Sequence, residues 1–440
     1  MRKQVIFSVF LLAVLSFALP APAQTGSAAA AQVTEFEVNG LKVIVKRRPG
    51  APTVAGGLFF KGGSRNLTAP NAGIENFALR AASEGSKLYP TQKLRKETAR
   101  IGSSIGASSN FDYSVLAFST TRENLDATWK MFVDVALNPA FVPADVERVR
   151  EQLLTGLRMQ ADAPEGALES LTERVVYAGH PYAISPEGTI QTISSFRPAD
   201  LATYHRGLLQ TSRMLLVVVG DIEPESLRPQ VSAAFGTVAR GEYKDAAPAA
   251  VAFSQGTVDV VPRSLPTNYV RGTFAAPPVG HPDYYAMRTA ITILQTAVFQ
   301  EVRVRRNLSY APDAELRSLG ANTGAISVSS VNPNEAVRVM MGEVRKLREQ
   351  PVEEAMLASM ASYFLTTHFL KLESNAAQAA ELALYELTGG GWRNSVEFLD
   401  RMRKVKPAEV QAVANKYMRN VRFTVVGNPA AIDKAVFLQN

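Results

Sequence analysis

RMLLVVVGD, residues 213–221, is an apolar run closed by glycine, and it returns near the end of the chain as VRFTVVG, residues 421–427. A run this apolar, with no polar alternation, reads as a strand covered on both faces or lying at a sheet centre. Upstream of the first run, FEVNGLKVIVK (36–46) alternates around Asn39-Gly40, a pair suited to the positive φ angles of a tight hairpin. A strand over Val54–Phe60, a helix from about Pro70 to Lys87 and two short strands within Ser104–Ser119 follow. Long helices then cover Glu123–Leu137 and Pro143–Met159.

Upstream of the second run the order is similar. Strands are expected at Thr257–Val261 and Asn268–Phe274, then a helix from about Tyr284 toward Arg306. Two strands, Tyr310–Leu319 and Gly324–Val331, precede helices that fill Glu335–Leu387. Two passes through one element order predict an α+β protein of two homologous α/β sandwich domains, each a mainly antiparallel sheet packed with helices. The expected bounds are 33–240 and 257–440. Between them GEYKDAAPAAVAFSQG, 241–256, has the small-residue, proline-containing look of a linker.

The composition agrees. In 440 residues, 46% hydrophobic and 20% charged, there is apolar material for more than one core. Arg2 and Lys3 precede an apolar run from Val5 to Leu19, and Ala21-Pro22-Ala23 supplies a small-residue cleavage site, so residues 1–23 read as a secretory signal. Residues 24–32 read as a flexible lead-in. No later stretch is long and uncharged enough for a membrane span. Losing Arg2 and Lys3 lowers the formal charge from +7 to +5. That mild excess forms no stripe, which argues against nucleic acid and weakly favours an acidic partner or surface. With no cysteine, disulfides, thiol catalysis and thiolate metal sites are excluded. An exported chain of this kind suits a bacterial periplasm.

One set of short motifs carries more information. Asn39-Gly40-Leu41, Gly62-Gly63-Ser64-Arg65, Gly73 with Gly85-Ser86, His180-Pro181-Tyr182 with Gly188-Thr189, Val219-Gly220-Asp221, and Arg303 with Leu308-Ser309-Tyr310 occur in this order. In order and spacing the chain resembles the insulinase and pitrilysin-like zinc peptidases, which include the mitochondrial processing peptidase. The resemblance covers nearly all of the chain after the signal. In catalytic members, it implies, the helix after Gly73 carries His-x-x-Glu-His. The two histidines share a helix face and hold Zn²⁺, and the glutamate polarises a metal-bound water whose pKa falls to roughly 7.

Anchored on Gly73 and Gly85, those three positions are Asn76, Leu79 and Arg80. The third ligand, a glutamate on a later helix, falls within Thr155–Leu157, at Gly156. Leu79 cannot accept a proton, and Arg80 sets a permanent cation where a second cation would bind. No metal and no catalytic residue is therefore expected in this chain. Nor do His180, His205, His281 and His368 offer a substitute, because no two lie at helical spacing. The plain reading of residues 71–86 is a packed helix with Ile74, Phe77, Ala78, Ala81 and Ala82 on its apolar face and Arg80 paired to Glu84. A grip on a peptide or partner by Arg80 is the alternative.

The resemblance also implies that Arg303 and Tyr310, seven residues apart in FQEVRVRRNLSYAPD, bind substrate beside the metal of another domain. Arginine offers a fixed fork of donors to a carbonyl or carboxylate, and a tyrosine hydroxyl can donate to an oxyanion. Without the resemblance, Arg303, Arg305 and Arg306 would simply end a helix, where cations meet the helix dipole. The segment AITILQTAVFQEVR departs from many relatives, which carry a glycine-rich stretch and Ser-Arg-Leu before it. A reshaped helix is expected there.

An erased metal site beside an intact Arg and Tyr implies the non-catalytic subunit of a two-chain zinc endopeptidase. The zinc would sit in a homologous partner, and the substrate would be a peptide or unfolded polypeptide held by an exposed strand edge. A non-proteolytic peptide-binding or assembly protein is the second expectation.

Overall fold

The computed structural model describes residues 30–438. The expected signal segment, and the lead-in as far as residue 29, lie outside the described residues. Two mixed sheets packed with helices build the rest. The first contains β1 (Val33–Val38), β2 (Leu41–Arg47), β3 (Thr53–Lys61), β4 (Ser104–Ser109), β5 (Tyr113–Thr121) and β6 (Met214–Gly220) in the order β1-β2-β6-β3-β5-β4. The second contains β7 (Thr257–Pro262), β8 (Asn268–Ala275), β9 (Asp313–Leu316), β10 (Thr323–Ser330) and β11 (Arg422–Gly427) in the order β7-β11-β8-β10-β9. Without the edge strand β1, the two orders match strand for strand. Each sheet also has one parallel pair in the same place, β2 with β6 and β7 with β11. The repeat inferred from RMLLVVVGD and VRFTVVG is therefore a repeat of topology.

The helices that bear on the site are α1 (Ile74–Ala82), α2 (Pro143–Asp162), α3 (Pro164–Val176), α4 (Pro198–Leu208), α5 (Tyr284–Val298), α6 (Glu354–Lys371) and α7 (Asn375–Thr388). Every residue of β6 is buried. Leu216 and Val218 pack in the first half's own core with Phe60, Phe118 and Phe132. Leu215, Val217 and Val219 face the other way, onto Ala379, Leu382 and Ala383 of α7 from the second half. The exchange is mutual, since α3 of the first half lies on β8 and β11. There the contact is polar: the Thr172 and Thr424 hydroxyls meet at 2.7 Å, and Arg422 Nη1 donates to the Val175 carbonyl at 2.8 Å.

Some expectations need correction. The helix expected over 70–87 is shorter, because Gly73 at φ 81° starts it and it ends at Ala82. Glu84 therefore lies beyond the helix, off the i,i+4 ladder from Arg80, and pairs with Arg95 at 2.8 Å and Arg148 at 2.6 Å. The strand expected over Tyr310–Leu319 is only Asp313–Leu316. Residues 241–256 are irregular, as a linker should be, yet they are tied down. Arg65 pairs with Asp245 at 2.7 Å, Tyr243 accepts a hydrogen bond from Asn66, and buried Phe253 sits under the Arg422 guanidinium.

Candidate functional site

The helix α1 is set by a close approach of two glycines. A Cβ on Gly73 would stand 2.6 Å from the Gly188 Cα, so this crossing admits no side chain and brings the 185–189 loop over the first turn. There Asn76, 2% exposed, donates from Nδ2 to Glu187 Oε2 at 2.9 Å. Leu79 is fully buried in the sheet-facing core. Arg80 is half-buried, and its guanidinium makes no hydrogen bond or ion pair among the described residues. Gly156 is exposed on α2, with nothing within 4 Å of a would-be Cβ.

Next to Asn76 is a residue that sequence reading passed over. Glu75 is 1% exposed and accepts from Ser114 Oγ at 2.5 Å, from the Tyr204 hydroxyl at 2.6 Å and from Arg213 Nη2 at 2.9 Å. Arg213, itself buried, also donates from Nε to the Lys61 carbonyl at 2.9 Å and covers the Tyr243 ring. This cluster ties α1 to β5, α4, the head of β6 and the 241–256 segment. An acid in a first helical turn is an ordinary surface choice. The signal that could have flagged it was its position between apolar Ile74 and Phe77.

Zinc does not fit this helix. An amide already engaged, a core leucine and a guanidinium stand at the three positions, and a glycine stands at the fourth. No group of three or more His, Asp or Glu side chains that could hold a metal occurs among the described residues. The histidines are scattered: His180 Nε2 lies 3.0 Å from the Ala249 carbonyl, His281 sits beside Asp283, and His368 stacks on Phe398. His205 is buried, and desolvation pushes its pKa down to about 4.

In the second half, α5 runs without a break into a π-helical turn, Phe299–Arg305. Such wide turns often mark functional positions. Asn307, at φ 51°, ends it. Arg305 and Arg306 fold back onto Glu301 and are used internally. Arg303 is different. Its guanidinium lies 5.1 Å from the Phe299 ring centroid and 4.0 Å from that of Tyr310, with no hydrogen bond or ion pair among the described residues. Tyr310 is 78% exposed. The structure thus stacks the two predicted residues on each other and leaves the donors of both free.

Two family profiles match the chain: "Insulinase (Peptidase family M16)" over residues 42–189 and "Peptidase M16 inactive domain" over residues 195–362. The chain belongs to the insulinase family, peptidase family M16. It is similar to an uncharacterized zinc protease of Mycobacterium bovis, 25% identical over 89% of this chain and 92% of that one. Cytochrome b-c1 complex subunit 1 of Bos taurus is 24% identical over 60% of this chain and 55% of that protein. Among solved structures, a protease from Helicobacter pylori superposes with a TM-score of 0.81 at 18% identity, over 90% of this chain and 99% of the other. A peptidase M16 inactive domain from Pseudomonas fluorescens does so with 0.79 at 17% identity, over 90% and 98%. This M16 chain is peptidase-like in fold and lacks the His-x-x-Glu-His motif. Beside α1, strand β4 ends the first sheet with one side unpaired and its residues alternating outward.

Proposed function

We propose that this chain is the non-catalytic, substrate-binding subunit of a heterodimeric zinc metalloendopeptidase of the periplasm, and that Arg303 and Tyr310 complete the active site of a zinc-bearing homologous partner. The observation that carries the reading is the Arg303–Tyr310 stack, its tyrosine exposed and its half-buried guanidinium without a hydrogen-bond partner among the described residues, in a chain whose own metal positions are read as filled by Asn76, Leu79 and Arg80. Arg303 would hold a peptide carbonyl or carboxylate with its donor fork, and the Tyr310 hydroxyl would donate to the oxyanion formed during cleavage. The β4 edge would hold the peptide main chain in extended form. Export to the periplasm rests on the signal-like residues 1–23.

The test mixes the purified chain with a His-x-x-Glu-His homologue from the same cells. Alone, the chain should cleave no peptide. In the mixture, Arg303→Ala or Tyr310→Phe should lower kcat/KM by about a hundredfold, the usual size for loss of one oxyanion donor. Full activity of both variants would reject the proposal. Likeness to cytochrome b-c1 complex subunit 1 favours a second reading, a non-proteolytic peptide-binding or assembly protein. Recovery in a non-peptidase complex, with no response to the zinc-bearing homologue, would select it.

A further inference from the structure

The repeat assigns a counterpart to the erased metal position. In the first half that position lies between α1, the first helix after β3, and α2, the helix preceding the exchanged α3. In the second half the corresponding pair is α5, the first helix after β8, and α6, the helix preceding the exchanged α7. A cavity of about 230 Å³ lies where these helices meet, lined by Tyr284 and Arg288 of α5, His368 and Lys371 of α6, and Glu381 and Tyr385 of α7.

The charges in this cavity do not cancel. Lys371 is satisfied by Glu381 at 2.8 Å, and Glu381 is itself only 6% exposed. Arg288, half-buried, has no ion pair or side-chain hydrogen bond among the described residues. Beyond His368 lies a second cavity, of about 460 Å³, which His368 also lines together with Lys46 and Arg48. Arg48 is held by Asn375 and the Glu373 carbonyl, whereas the Lys46 ammonium has no such partner among the described residues. Burial and the neighbouring Arg48 hold the Lys46 ammonium below its usual range, with Glu381 opposing. His368, pushed below the usual imidazole range by burial, is neutral at pH 7 and adds no third charge.

Two unpaired cations therefore flank one neutral imidazole, with tyrosine hydroxyls as further donors. An unpaired guanidinium lining a cavity offers its donor fork to a ligand carboxylate, the partner that its planar geometry matches. We infer that the cavity between α5, α6 and α7 binds a small organic carboxylate, with Arg288 as its principal cation and Lys46 receiving a second acid group on longer ligands. Glu381 in the wall disfavours two charges concentrated on one phosphate group relative to the single charge of each carboxylate group. The site is independent of the Arg303–Tyr310 proposal.

Isothermal titration of the purified protein with glutarate tests this. One saturable equivalent of glutarate is expected, with uncharged glutaramide giving no binding. Arg288→Gln should weaken glutarate binding at least tenfold and Lys46→Gln severalfold, both with unchanged unfolding midpoints. Absence of saturable glutarate binding, equal binding of glutaramide, undiminished binding by Arg288→Gln, or inorganic phosphate binding in place of glutarate would each overturn the inference.

Discussion

Helix α1 and the Phe299–Tyr310 segment are the two places where an M16 peptidase is expected to keep its chemistry, and here they have opposite character. Two polar groups on α1 are buried and spent, Asn76 on Glu187 and Glu75 on Ser114, Tyr204 and Arg213, and of the α1 side chains at the family's metal positions Arg80 alone is half-buried without a side-chain partner among the described residues. On the π turn, Arg305 and Arg306 are spent on Glu301, while half-buried Arg303 and exposed Tyr310 keep their side-chain donors free of partners among the described residues. Saturated hydrogen bonding inside a core fixes position, and unsatisfied donors at a surface are available to a ligand. The difference separates a strut from a tool within one chain.

The sharpest way to break that contrast is to remove the strut. Glu75→Ala leaves the Arg213 guanidinium buried without its carboxylate and strands the Tyr204 and Ser114 hydroxyls. Breaking a buried pair from one side costs about 3–5 kcal/mol. Denaturant unfolding should show a loss of that size. A companion variant, Glu75→Leu with Arg213→Met, should recover much of it, because removing both charges also removes the desolvation. A loss below about 1 kcal/mol for Glu75→Ala would show that α1 is anchored elsewhere.

How much of this was legible beforehand follows from where the information lies. The β1–β2 hairpin is local, written in Asn39-Gly40, and forms as read with both residues at positive φ. The β6 run said "covered on both faces" but could not say by what; the cover is α7, about 160 residues away in sequence. Arg303 and Tyr310 were singled out only through the family resemblance, and the structure brings them into contact. Glu75 was missed because its partners come from β5, α4 and the head of β6, and a single-helix pattern carries no trace of them. The Arg80–Glu84 pairing failed for a local reason, the end of α1 at Ala82, and helix boundaries are the least reliable part of such reading.

The exchanged helices sharpen the comparison at intermediate scale, since α7 meets the first sheet through apolar residues and α3 meets the second through polar ones. Glu173 of α3, mostly buried, is the cost of the polar version. Burial pushes its pKa up to about 7, with Arg271 pulling it down and Glu187 raising it further. A folded-state pKa above the unfolded value favours the protonated form. Its contribution is complete below about 4.5 and is lost as pH rises through about 7. From pH 5 to pH 8 this group should cost about 2 kcal/mol, which Glu173→Gln abolishes. His205, depressed to about 4, acts in the opposite sense, losing stability as pH falls from about 6.5. The difference between wild type and Glu173→Gln cancels it. An identical pH slope in both proteins would show that Glu173 is ionised without penalty.

The smallest effect is expected at the tool end. Among the described residues the Arg303 guanidinium has no polar partner and lies over the Phe299 and Tyr310 rings, and a cation over an aromatic face near the surface contributes about 0.5–1 kcal/mol. Arg303→Ala should therefore shift the unfolding free energy by less than about 1 kcal/mol, several times less than Glu75→Ala, and Arg80→Ala, with no partner to lose, by less still. Measured side by side in urea, the three variants rank the two regions on one scale. A cost above about 2 kcal/mol for Arg303→Ala would make that arginine a strut like Glu75, and any loss of activity in the variant would then reflect a damaged fold instead of a missing donor.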